Sequence, residues 1–141
     1  MAKYDYSTYC NEALFESFPE LLDFSKYKEI IAEACEDYQY SAHSIYEQVL
    51  CDYILSILEK KDSLSRSSLK KAFELIEELV QHENFEVRCV AKVSFIEPFL
   101  DKVNPTRGVQ KYLKPASLKA AQEIAAQRFG LNPITWEKDE D

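Results

Sequence analysis

Only two glycines, Gly108 and Gly130, occur in 141 residues. Sheet proteins spend glycine on hairpin turns and bulges, whereas helices use it mainly at their C-caps. Such scarcity points to helices joined by short loops. Apolar residues recurring at three- and four-residue spacing along most of the chain agree with this. A chain of this length is a common size for one domain and buries about two-thirds of its unfolded surface, so it needs no metal or disulfide to fold. The reading is an all-α protein of about six helices packed as antiparallel pairs. It forms one domain over residues 1–141, with an irregular tail from about 131 in which Trp136 is the anchor.

The helices can be placed in order. Thr8 to Ser17 is a short first helix, with Leu14, Phe15 and Phe18 as its apolar side and Pro19 as its boundary. A second runs from Ser25, read as the N-cap, to about Tyr38, burying Tyr27, Ile30, Ile31, Ala34 and Tyr38. A third, Ala42 to Lys60, is apolar over most of its circumference, as central helices are. Asp62 to Ser68 reads as a polar loop. The fourth helix then continues to about Gln81 with Lys70, Lys71, Glu74 and Glu78 outward. Asn84 caps a fifth helix to about Leu100, apolar almost all round, in which Pro98 should bend or shorten the last turn. Residues 101–114 read as a long loop. An alanine-rich last helix follows Pro115, suited to a first-turn position, and ends at Gly130.

The four cysteines lack CxxC spacing, and Cys35, Cys51 and Cys89 read as small buried hydrophobes. The start of the chain has no apolar leader region, and no stretch is apolar enough to span a bilayer, so the expectation is a cytoplasmic protein with reduced thiols. The formal charge is −8. It speaks against nucleic acid, which is bound by clustered Lys and Arg, and it suits a basic partner such as a nuclease. Solubility alone explains the same charge.

The segment Leu69 to Leu100 has a shape of its own. A helix ends in Glu77-Glu78-Leu79-Val80, the turn Gln81-His82-Glu83-Asn84 follows, and Phe85-Glu86-Val87-Arg88-Cys89-Val90-Ala91 opens the next helix. It resembles one HEAT-type repeat, with Val87, Arg88 and Ala91 in the places of the Val-Arg pair and the small residue. With the continuation Val93-Ser94-Phe95-Ile96-Glu97-Pro98-Phe99-Leu100, residues from Phe18 to Leu100 resemble a bacterial family of small helical proteins. Members often lie beside toxin genes and are presumed immunity proteins of the contact-dependent growth inhibition type. The resemblance implies a short HEAT-like arrangement and a toxin as partner. It carries no agreed binding residues.

No Gly-rich phosphate loop, HExxH or GxSxG motif occurs, so no enzyme, cofactor or metal is expected. His82, four residues after Glu78, reads as a surface or structural residue, and His43 as a surface or cap residue. Tyr4, Tyr6, Tyr9, Tyr38, Tyr40 and Tyr46 read either as interface anchors or as packing between the first helices. Glu29, Glu33 and Glu36 stack along one line of the second helix, with Asp37 and Tyr40 beyond. Like charges at that spacing repel, and a partner presenting Lys and Arg would relieve them. An ordinary solvated face is the other reading of this strip. Gln48, Asp52 and Glu59 form a second candidate strip. The expected function is an immunity protein that neutralises a basic nuclease toxin by occluding its active site. The alternative is a generic helical adaptor in the bacterial cytosol.

Overall fold

A computed structural model describes residues 6–36, 41–58, 60, 62–102 and 112–129. Among the described residues there are six helices and no strand, so the protein is all-α. The expected tail from about 131, with Trp136, lies outside them, as do Asp37, Tyr38, Tyr40, Glu59 and Gly130.

Helix α1 is Tyr6–Ser17 and begins earlier than Thr8 because Tyr6 and Ser7 are both buried. The Ser7 hydroxyl accepts from the Ala42 N–H at 3.4 Å, tying the start of α1 to the third helix. Fully buried Phe18 leads into a single 3-10 turn, Pro19–Leu22, with the proline at its start, where no N–H is needed. Helix α2 is Ser25–Glu36, with Ser25 its first residue rather than its cap. Only Tyr27 and Ala34 are buried in it, so α2 lies on the outside of the domain.

Helix α3 runs without a break through Ser41–Ile45, a wide π-type turn Tyr46–Leu50, and Cys51–Ile57. Helix α4 is Ser63–Val80. The predicted loop from Asp62 to Ser68 is therefore helical. Asp62 accepts from the Ser65 N–H at 2.8 Å and caps the helix, and Ser65 and Ser68 are buried on its inner face. Asn84 caps α5 as expected, its side-chain oxygen accepting from the N–H groups of Glu86 and Val87 at 2.8 and 3.1 Å.

Helix α5 comprises Phe85–Ala91, a second π-type turn Lys92–Ile96, and Glu97–Lys102. Pro98 neither ends nor shortens it. Proline has no N–H for the carbonyl of Ser94, four residues before it, and the ladder widens just there: the Glu97 N–H bonds the Lys92 carbonyl. The helix is less enclosed than its sequence implies, since Phe85 is 67% and Val93 52% exposed. Its end at Lys102 also takes the first residues of the predicted 101–114 loop into the helix.

Helix α6 is Pro115–Phe129, with Pro115 in the first turn as expected. Its buried Ala120, Ala121 and Ala125 let it approach α4 and α5 closely. Helix α3 meets α5 in matching order, Ser41–Ile45 against Lys92–Ile96 and Cys51–Ile57 against Glu97–Lys102. These two helices therefore run the same way, and α4 is the return between them, as in stacked helical pairs. Helix α1 closes the bundle against α3, α4 and the start of α5. At its centre Phe73 meets Phe95 and Phe99 edge-on at 5.8 and 5.7 Å and stacks on Tyr112 at 5.8 Å.

Candidate protein-binding surface

Glu29, Glu33 and Glu36 are all exposed, on the outward side of the peripheral helix α2. Their line is fixed by what lies beneath. Buried Tyr27 donates its hydroxyl to Asp52 of α3 at 2.8 Å, and Lys26 reaches the same carboxylate oxygen at 2.8 Å. Burial works against the Asp52 carboxylate, but the bonds from Lys26 and Tyr27 hold its pKa below the ordinary value. Both side chains of the ion pair are substantially solvated, so its net stabilisation is small. Its consequence is orientation, because a buried tyrosine bonded to α3 sets the rotation of α2. The glutamate line then faces out.

The second strip predicted from the sequence is not assembled in the same way. Gln48 is exposed on the π turn, but Asp52 is half-buried and occupied by Lys26 and Tyr27. Asp52 is better described as a clamp between helices than as a contact for a partner. Glu59, Asp37 and Tyr40 lie outside the described residues.

Among the tyrosines, Tyr6 and Tyr46 are core residues. Tyr46 is fully buried and donates its hydroxyl to the Cys10 carbonyl at 2.6 Å, joining α3 to α1. Tyr9 packs edge-on against His82 at 4.8 Å. These three rings pack helices. The cysteines divide similarly. Cys10 and Cys51 are buried, with burial pushing their thiols up to about 12 and about 11, whereas Cys35 is exposed, contrary to expectation.

Three sets of contacts, one local and two long-range, have no counterpart in the sequence reading. Glu77 of α4 accepts from the N–H groups of Ala116 and Ser117 at 3.0 and 2.8 Å, so its carboxylate caps the first turn of α6, where a negative charge also suits the helix dipole. Half-buried His82 accepts the Asn84 N–H at 2.9 Å on Nδ1, and its carbonyl accepts from Arg88 at 2.8 Å, which shapes the α4–α5 turn. His43 is half-buried and bonded across helices rather than a simple surface or cap residue. Its Nδ1 lies 2.6 Å from the hydroxyl of Ser94, which is 3% exposed, and its ring meets Tyr6 edge-on. The pair joins the first turn of α3 to the middle of the π turn in α5.

Burial lowers the His43 pKa below 6.5, against the opposing pull of Glu86 and Glu47. The folded protein therefore binds fewer protons at this site than the unfolded chain as pH falls below 6.5. The associated stability is fully present above 6.5 and is lost as pH falls through the folded value. Urea unfolding from pH 7.5 to 5.5 should show a steeper loss for the native chain than for a His43→Asn variant. Equal slopes would remove His43 from the acid sensitivity.

The architecture and this surface define a small all-helical domain with a peripheral acidic helix. Residues 11–129 match the family model described as "Domain of unknown function (DUF7674)", which covers most of the chain, so the protein belongs to that family. No curated protein and no solved structure matches it. No helix among the described residues is long and apolar enough to cross a membrane.

Proposed function

We propose that the protein is a stoichiometric inhibitor: an immunity protein that binds a basic toxin domain, a nuclease by chemistry, and covers its active site. The observation that carries this reading is the exposed line Glu29, Glu33 and Glu36 on a helix whose rotation is set by Tyr27 and Asp52. A line of carboxylates resembles the phosphates a nuclease engages, and the net charge of −8 steers a basic partner toward it. The tyrosines Tyr6 and Tyr46 are withdrawn from the contact because they are buried. The resemblance of Phe18 to Leu100 to presumed immunity proteins points the same way. The protein acts in the cytoplasm, where such a toxin domain would arrive. Co-purification with the products of neighbouring genes, followed by titration of any nuclease so found with the protein, tests the proposal.

A further inference from the structure

Between α1 and the far end of α2 lies an open groove of about 500 Å³. Thr8, Asn11, Glu12, Phe15 and Glu16 form its α1 wall, and Cys35 and Ser41 close the other side. Glu12 and Glu16 are exposed one turn apart, and none of the described lining residues is a lysine or arginine that would neutralise them. Phe15 is half-buried, packed on the core and shared with the groove. Asn11 gives its Nδ2 to the Ser41 hydroxyl at 3.0 Å, while its buried Oδ1 has no hydrogen-bond partner among the described residues. Cys35 lies in the last turn of α2, beside Glu36 in sequence but about 100° round the helix from it, so the groove is a separate acidic feature from the α2 line.

We propose that this groove receives an arginine side chain presented by the basic partner, its stem against Phe15 and its guanidinium between Glu12 and Glu16. This inference rests on the functional reading above for the partner's charge. An amphipathic side chain suits a recess with an aromatic wall and a charged rim. Arginine is favoured over lysine because its guanidinium is weakly hydrated, stacks on aromatic rings and presents five donors to several acceptors.

The test uses the full chain, labelled with nitrogen-15, and N-acetyl-arginine amide as probe, with the citrulline and lysine amides beside it. Saturable shifts confined to residues 8–16, Cys35 and Ser41, given by the arginine amide and not by the uncharged citrulline amide, are the expected result. Binding should weaken at least tenfold in Glu12→Gln/Glu16→Gln, whose altered side chains are exposed. Equal binding of citrulline amide, tighter binding of lysine amide, or shifts located elsewhere would each overturn the proposal. The wild-type comparison of the amides decides it even if the double variant folds poorly. The two readings fail separately: a cognate toxin that binds Glu12→Gln/Glu16→Gln as tightly as the native chain removes the groove and leaves the α2 surface standing. Arginine amide bound in the groove of a protein that neutralises no basic toxin supports the groove and removes the inhibitor.

Discussion

Replacing Glu29 and Glu33 with lysine is expected to weaken binding to the cognate toxin by about 2–5 kcal/mol, or roughly 30-fold to several-thousand-fold. That range holds for charges desolvated in the contact, when the effect falls on the dissociation rate. Charges at the rim act instead on the association rate and its salt dependence. Both side chains are exposed and neither bonds another element among the described residues, so unfolding curves should move by no more than about 0.5 kcal/mol. Salt separates this from a packing effect. The native association rate should fall with ionic strength, and the double variant should lose most of that dependence. Gln48→Lys is the control, because it changes charge on the same side of α3 without touching the α2 line. A well-folded Glu29→Lys/Glu33→Lys variant with native affinity and native salt slope would exclude α2 as the contact.

The largest effect on stability is expected at Phe73. Its ring is 1% exposed and touches Phe95, Phe99 and Tyr112, which bring α4, α5 and the approach to α6 together. Phe73→Ala removes the transfer energy of the ring and leaves a cavity that stacked Phe95 and Phe99 cannot readily fill. The cost should be about 3–5 kcal/mol, a large share of the 5–15 kcal/mol that holds a typical domain together. Denaturant unfolding followed by helical circular dichroism measures it. A loss below about 1 kcal/mol would show that the aromatic cluster is not the centre of the core. Phe85→Ala is the contrast: its ring is 67% exposed and should cost little.

The helices were legible wherever one residue's neighbours along the chain decided the outcome. Asn84 announces α5 because an N-cap acts within three residues of itself. Scarce glycine and regular apolar spacing announce the fold class for the same reason. The start of α4 was hidden because serine competes with the backbone and reads as loop, whereas Ser65 and Ser68 are tolerated as small residues on a buried face capped by Asp62. Phe85 and Val93 look like core in the sequence, since periodicity names the apolar face without saying how far a neighbour covers it.

The surface was half legible. The α2 glutamates follow from helical spacing alone. Asp52 looked equally available until the fold placed Tyr27 and Lys26 on it from 25 and 26 residues away. The same distance in sequence hid His43 from Ser94, 51 residues apart, and Glu77 from Ser117, 40 apart. Groups that meet only through tertiary packing leave no local signal.

The central claim, stoichiometric inhibition through the acidic face, is tested most directly by titrating a fixed amount of the cognate nuclease domain with this protein. The nuclease should be held well above its dissociation constant while cleavage is followed. The account predicts a linear fall of activity to zero at one inhibitor per nuclease, displaced to excess inhibitor by Glu29→Lys/Glu33→Lys. Full cleavage at several-fold excess of the folded native protein would contradict it.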